Sequence, residues 1–316
     1  MCEKRPLVVL TGPTAVGKTD LSIALAKRIG AQIISADSAQ VYRGMDIGSA
    51  KITVEEMGGV KHHLIDVLDP KESFSAAVFK DMADRAIEQI YAQGDIPMIV
   101  GGTGFYIQGV IYNIDFSSHE DDESYRRYLE KLLEEKGNAY LYDLLREVDP
   151  LSCETIHENN VKRVIRALEF NHLTGRRISE HNSEQRENEA AYNMAYFVLD
   201  MDRKKLYERI DKRVEEMLSD GLVDEVRHLM EMGCDENDVS MQALGYRQIL
   251  AFLKGRMSYD EAVYVIKRDT RHFAKRQLTW FRRERDVIRI DKDEYSDDEG
   301  ILRFMLQVLN DKKIAK

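Results

Sequence analysis

The chain has 316 residues, of which 43% are hydrophobic and 32% are charged, and its formal net charge is −10. This length allows one large domain or a core with a smaller accessory unit. The net acidity argues against a protein that simply coats nucleic acid. The three cysteines (Cys2, Cys153 and Cys234) are far apart, which excludes a disulfide framework or a zinc ribbon. With no signal-peptide pattern and no 18-residue apolar run, the sequence predicts a cytoplasmic protein without membrane attachment.

Basic residues are concentrated in two stretches of this acidic chain. Eight Lys and Arg residues lie between Lys267 and Arg285, against two acidic ones. Five more lie between Lys162 and Arg177, where Glu169 is the one acid. Such stripes fit selective contact with one polyanion, although charge alone favours the simpler interpretation of solvated helix faces.

Short apolar runs alternate with helical periodicity over the first hundred residues. The predicted strands are residues 7–10, 33–34, 63–67 and 97–100. One helix follows the first strand and ends at Gly30, and another covers residues 75–92. Strands that alternate with helices of this length predict an α/β fold with a parallel sheet covered on both faces.

The character of the sequence changes between residues 116 and 195, which are polar and helical without a convincing buried strand. Residues 196–199 and 287–290 are the last strand candidates. The sequence therefore predicts an α/β core in residues 1–115, an all-helical insertion domain in residues 116–195, and a return to the core with C-terminal helices in residues 196–316.

Residues 12–19 read GPTAVGKT, a complete Walker A sequence placed between a predicted strand and a predicted helix. The predicted phosphate-binding residues are Gly12, Pro13, Thr14, Ala15, Val16, Gly17, Lys18 and Thr19. The glycines allow backbone N–H groups to turn toward an anion, and the following helix adds its positive end. The fold is thus predicted as a P-loop-containing parallel sheet core with a helical insertion. Because ligands bind at the carboxyl ends of parallel strands, Asp37 and residues 101–104 should lie beside this loop.

A P-loop alone does not define the reaction. A GTPase would need an NKxD motif to read guanine, and none occurs. A small-molecule kinase would need an Asp to orient the acceptor and Arg residues over the transferred phosphoryl group, and the sequence can supply both. A motor-type ATPase has little support.

Seven strings occur in an order that distinguishes these alternatives. They are GPTAVGKT (12–19), ADSAQVYRGMDIGSAK (36–51), HHLIDVLDP (62–70), GGTGFY (101–106), IHENNVKRVIRALE (156–169), LGYRQ (244–248) and KRQLTWFRR (275–283). Together they closely resemble the tRNA dimethylallyltransferase family, also called tRNA isopentenyltransferase, over residues 6–285. Ser49, Ile52 and Glu158 depart from the common pattern, but none has a proposed chemical role. A zinc-finger extension is absent, which is typical of the bacterial type.

The resemblance implies transfer of a dimethylallyl group from its diphosphate to N6 of the adenosine immediately 3′ of the anticodon, in tRNAs that read codons starting with U. It implies Mg²⁺ as cofactor, with the Thr19 hydroxyl as a ligand, and the tRNA anticodon stem-loop as partner. We expect a monomer.

Three residues are predicted to be catalytic on this resemblance. Asp37 matches the family's general base, Thr103 a threonine near the reacting centre, and Arg213 an arginine that holds the diphosphate. Each also has a plainer interpretation. Asp37 would serve as a helix N-cap or a Mg²⁺ contact, Thr103 as a turn residue in a glycine loop, and Arg213 as a surface charge.

The family pattern also assigns tRNA contacts, which gives the two basic stretches a purpose. The predicted residues are Asp37, Ser38, Ala39, Gln40, Thr103, Arg126, Lys162, Arg163, Val164, Ile165, Arg166, Gln242, Arg247, Lys275, Arg276, Trp280 and Arg282. Trp280 is interpreted as a core residue in preference to a base-stacking platform, and His62 and His63 are interpreted as structural because neighbours on a strand face opposite ways. The other functions considered are a small-molecule kinase, a non-catalytic RNA-binding protein and an enzyme that prenylates free adenine nucleotides.

Overall fold

A computed structural model describes residues 4–116 and 123–315, so Cys2 lies outside the described residues. The strands are β1 (Pro6–Thr11), β2 (Ala31–Ala36), β3 (His62–His63), β4 (Ile96–Gly101), β5 (Asn193–Asp200) and β6 (Val287–Asp291). The helices are α1 (Lys18–Ile29), α2 (Val54–Met57), α3 (Ala76–Ala92), α4 (Gly104–Ile111), α5 (Glu123–Val148), α6 (Val161–Thr174), α7 (Ile178–Glu187), α8 (Arg203–Ser219), α9 (Leu222–Glu231), α10 (Tyr246–Leu253), α11 (Tyr259–Phe281) and α12 (Asp298–Asp311). Short 3₁₀ helices cover Pro150–Glu154, Ser240–Gln242 and Lys292–Glu294.

The six strands form one sheet in the order β3-β2-β4-β1-β5-β6, and every neighbouring pair is parallel. Five of the six residues of β1 and all six of β2 are buried, as expected of strands covered on both faces. The predicted parallel α/β fold is confirmed. Among the helices described, none is both long and apolar enough to cross a bilayer.

Helices α1 and α3 each pack against the sheet and bury one apolar face. In α1, Leu21 and Leu25 pack into the same buried cluster as Val8 and Leu10 of β1. This helix begins after Gly17 and ends where Gly30 adopts a left-handed conformation, as the sequence predicts. Helix α3 begins at the Ser75 N-cap and buries one face of its own.

The predicted strand at residues 63–67 is wrong in extent, because β3 contains only His62 and His63. Leu64 and Asp66 have φ values of 64° and 53°, which are incompatible with an extended strand. The buried Lys51 ammonium group lies beside this turn and binds Tyr42 O at 2.6 Å and the Asp66 carboxylate at 2.5 Å. A hydropathy pattern carries no information about such a turn.

Backbone contacts divide the chain into two compact units, Met1–Ile111 with Ala191–Lys316, and Tyr112–Ala190. The second unit has its own apolar core, to which α5 and α6 contribute. Helix α5 is interrupted at Gly137, where φ is 80° and ψ is 176°. A buried Asp149 accepts hydrogen bonds from Ser152 and Ser179 and so joins a 3₁₀ helix to α7. The sequence-based boundary at residue 195 falls inside β5, which begins at Asn193.

Candidate active site

Three loops lie side by side at the carboxyl edge of the sheet. Strand β4 lies between β1 and β2, and Gly101 is the register partner of both Thr11 and Ala36. The Thr11 hydroxyl donates to Gly101 O at 2.7 Å. The P-loop follows β1, Asp37 follows β2, and residues 102–104 follow β4, so the strand order brings all three together.

The P-loop has the geometry of an anion cradle. Gly17, with φ 91° and ψ 43°, is the N-cap of α1, a backbone conformation that favours glycine. Lys18 is partly buried, and its ammonium group donates to Gly12 O at 3.0 Å and to Pro13 O at 2.8 Å. An ammonium group has three N–H donors, so one remains for an anion at the positive end of the helix.

Lys18, Arg213 and Asp37 interact electrostatically at this edge. The pKa of Lys18 is lowered to about 7, mainly by burial and also by the Arg213 charge, while the Asp37 carboxylate opposes both effects. Burial also lowers the pKa of Arg213, and Asp37 again opposes this change. The two cations are therefore crowded and poorly solvated, which is the arrangement expected where a polyanion binds.

Two further cations, which the sequence analysis missed, lie against the P-loop. A Cβ atom added to Gly17 would be 3.2 Å from Lys292 Nζ and 3.3 Å from Arg209 Nη2. Arg209 precedes Arg213 by one turn of α8, so the i, i+4 spacing was a usable signal. Lys292, which also pairs with Asp298 at 2.8 Å, follows β6 and carried no local signal.

Asp37 follows β2 in a turn at which no helix begins, so the helix N-cap interpretation does not apply to it. Its Oδ1 accepts hydrogen bonds from Ala39 N at 2.8 Å and from Gln40 N at 3.3 Å, which fixes the loop after β2. Its Oδ2 accepts no hydrogen bond from the residues that the structure describes. The Gln40 amide faces inward to Ser49 O and Ala50 O at 3.4 and 3.3 Å, whereas Ser38 is exposed.

A carboxylate that the sequence analysis also missed holds the adjoining loop. Glu225 accepts hydrogen bonds from the backbone N–H groups of Asp46, Ile47 and Gly48, at 2.8, 2.7 and 3.1 Å. The buried Tyr246 hydroxyl donates to the same carboxylate at 2.7 Å. The DIGSAK and LGYRQ strings are thus joined through Glu225, which lies between them in the sequence without a recognisable motif.

Thr103 and Trp280 meet at the loop after β4. Thr103 N donates to Ala36 O at 3.3 Å, which ties this loop to the end of β2. Trp280 is partly buried, and its indole ring would be 2.3 Å from a Cβ atom added to Gly104. The ring also makes an edge contact with Phe105, with centroids 6.3 Å apart. Trp280 therefore packs on the glycine loop, in agreement with its core interpretation.

The other predicted tRNA-binding residues of the first unit lie on exposed surface. Lys275, Arg276 and Arg282 are exposed on or next to α11. Gln242 and Arg247 are also exposed, and Arg247 pairs with Asp269 at 2.9 Å.

The predicted tRNA-binding residues of the second unit differ in exposure. Lys162 and Arg163 are exposed and Arg166 is partly exposed on α6. The side chains of Val164 and Ile165, only 1% and 7% exposed, pack in the core of this unit and are unavailable for contact. Arg126 makes a two-pronged ion pair with the buried Glu169, at 2.7 and 2.9 Å.

These observations define a P-loop α/β protein in which a basic cradle lies near a carboxylate. The sequence pattern of the IPP transferase family matches residues 40–284, and the chain belongs to this family. It is 57% identical, over 99% of its length and all of the relative's, to the tRNA dimethylallyltransferase of Lachnoclostridium phytofermentans. The enzyme of the same name from Acetivibrio thermocellus is 51% identical over 94% of this chain and 95% of its own.

Solved structures agree with this assignment. The full-length tRNA isopentenylpyrophosphate transferase from Bacillus halodurans is 43% identical, with a TM-score of 0.73 over 98% of each chain. A eukaryotic dimethylallyltransferase that acts on tRNA is 27% identical, with a TM-score of 0.83 over 97% of this chain and 80% of its own.

Proposed function

We propose that this chain transfers a dimethylallyl group from dimethylallyl diphosphate to N6 of the adenosine immediately 3′ of the anticodon, in tRNAs that read codons starting with U. Diphosphate is the second product. The observation that carries this proposal is the cradle at residues 12–19, with basic side chains around it and Asp37 within electrostatic range. The shared name of the two bacterial relatives supports the same reaction.

The cradle holds the leaving group. As the allylic C1–O bond breaks, negative charge develops on the diphosphate, and the P-loop N–H groups, Lys18 and Arg213 stabilise it. Arg209 and Lys292 add positive charge beside Gly17. Because these donors are already oriented, little reorganisation is needed when the bond breaks.

Asp37 accepts the proton that leaves the adenine N6 as the new N6–C1 bond forms. Its Oδ1 is engaged by the backbone of the following residues, and its Oδ2 is the atom assigned to the proton. A positioned base of this kind contributes roughly 10² to 10⁴ in rate. The Thr103 hydroxyl would hydrogen-bond the diphosphate or the adenine.

Mg²⁺ fits this site as an ion bound mainly through the diphosphate. The described residues contain no group of three or more His, Cys, Asp or Glu side chains that could hold a metal. Mg²⁺ commonly binds through substrate phosphates and water with few protein ligands, and the Thr19 hydroxyl in the first turn of α1 would be the ligand that the protein supplies. When bound, the ion would neutralise part of the leaving-group charge.

The acceptor adenosine must be flipped out of the anticodon loop to reach such a site. We assign tRNA contacts to exposed residues of both basic stretches. We also propose that residues 116–195 are an insertion domain that contacts the tRNA. The side chains proposed are Ser38, Arg126, Lys162, Arg163, Arg166, Gln242, Arg247, Lys275, Arg276 and Arg282. We propose that one chain is sufficient for activity.

The test is direct. The purified protein is incubated with dimethylallyl diphosphate, Mg²⁺ and an unmodified tRNA, and the digested nucleosides are analysed. A matched tRNA with guanosine at the acceptor position is the control. Prenylated adenosine from the first tRNA alone is expected. Its absence, together with ATP-dependent phosphorylation of a metabolite, would overturn the proposal in favour of a kinase.

A further inference from the structure

Gln277 has a polar side chain that faces inward from α11. Its exposed fraction is 6%, and the neighbours on the same helical face, Ala274, Leu278 and Phe281, are also buried. The adjacent Arg276 is exposed. The KRQLTWFRR string is therefore amphipathic, with its cations outward and this one amide inward.

The Gln277 amide bridges two of the three loops at the carboxyl edge. Its Oε1 accepts the Thr14 N–H of the P-loop at 2.9 Å, and its Nε2 donates to Gly102 O, in the loop after β4, at 2.9 Å. One partner is only a donor and the other only an acceptor, so these contacts define which end of the amide is oxygen.

Space at the bridge is limited. A Cβ atom added to Gly102 would be 2.2 Å from Gln277 Nε2, so the bridge requires the absence of a side chain there. An apolar residue at position 277 would leave the Thr14 N–H and the Gly102 carbonyl without this partner.

The two bridged loops carry different parts of the proposed reaction. The P-loop holds the diphosphate, and the loop after β4 carries Thr103, whose backbone N–H binds Ala36 O directly before Asp37. A fixed distance between these loops therefore sets the distance between the breaking C–O bond and the base. A misplacement of about 1 Å is enough to cost roughly 10² in rate.

We propose that Gln277 is a positioning residue, which holds the P-loop in register with the loop after β4 so that donor and acceptor meet in line. This inference rests on the proposed function. It predicts a defect in the chemical step rather than in binding. The Thr14 N–H is engaged by Gln277, so diphosphate affinity should depend on the other N–H groups of the cradle and on its cations.

The experiment compares three variants with the wild-type chain. Gln277→Met removes the bridge with little change in volume, and Gly102→Ala displaces the amide without altering it. Gln307→Met makes the same chemical change at an exposed position of α12 and is the matched control. The single-turnover rate, the Kd for tRNA and for inorganic diphosphate, and the Tm are measured for each.

We expect Gln277→Met and Gly102→Ala each to lower the single-turnover rate about 10- to 100-fold, with both Kd values within about threefold of wild type. The double variant, Gln277→Met with Gly102→Ala, should be no slower than the slower single variant, because both substitutions break the same bridge. The inference would be overturned by any of three results. These are an unchanged rate in Gln277→Met, multiplicative losses of rate in the double variant, or a loss of rate that weaker tRNA binding explains. An inactive wild-type chain would instead refute the proposed function. If Gln277→Met does not fold, Gly102→Ala decides the matter by the same criteria.

Discussion

Diphosphate affinity should depend on the protonation of Lys18. The Lys18 ammonium group has three N–H donors, and two of them bind Gly12 O and Pro13 O. Loss of a proton leaves two N–H groups, both already engaged, and removes the positive charge. The neutral amine therefore has neither a donor nor a charge for the anion.

The pKa of Lys18, about 7 through burial, sets the range in which this matters. A bound polyanion stabilises the charged form, so the pKa rises in the complex and binding takes up a proton. Above the pKa of the free protein, the affinity for diphosphate should fall with pH, and the loss approaches tenfold for each pH unit. Between pH 7 and pH 9 the total loss should be roughly 50-fold. Proton uptake should be about half a proton at pH 7 and close to one at pH 9.

The assay is calorimetric titration with inorganic diphosphate in buffers of different ionisation enthalpy. Lys18→Arg is the reference, because a guanidinium group stays protonated across this range. If the arginine side chain does not fit at position 18, Lys18→Met is the reference instead, because methionine has no titratable group. Ionisation of the ligand itself is common to all variants and cancels in the comparison. Equal proton uptake and equal pH dependence in wild type and variant would refute the reasoning.

Three other perturbations test separate parts of the site. Asp37→Asn keeps the Oδ1 acceptor of the loop but not the base, so single-turnover chemistry should slow about 10²- to 10⁴-fold with diphosphate affinity nearly unchanged; a wild-type rate would eliminate this carboxylate as the base. Replacing both Arg163 and Arg166 by Gln should weaken tRNA binding and reduce the slope of log K against log salt by about 1.5, measured by fluorescence titration; an unaltered slope would mean that neither contacts phosphate. Glu225→Ala should lower the free energy of unfolding by about 3 kcal/mol in urea titrations, against less than about 1 kcal/mol for the exposed neighbour Asp224→Ala; equal losses would show that Glu225 does not hold its loop.

Much of the architecture follows from local sequence patterns. The apolar runs at residues 7–10, 33–34 and 97–100 are strands because side chains buried on both faces must be apolar throughout. The P-loop is equally local, since its glycines, Lys18 and the start of α1 are contiguous. The error at residues 63–67 arose because hydropathy does not reveal the positive φ angles of Leu64 and Asp66.

The completed site depends on contacts between distant residues, which only the tertiary structure decides. Gln277 reaches Thr14 across 263 positions of sequence. Glu225 binds the backbone of a loop 177 to 179 positions away, and Lys292 approaches Gly17 from beyond the last strand. The Gln277 and Lys292 contacts depend on the strand order, because β4 lies beside β1 and because β5 and β6 extend the same sheet beyond β1. Single glutamine, glutamate and lysine residues have no periodicity of their own, so their roles are set by the elements that carry them.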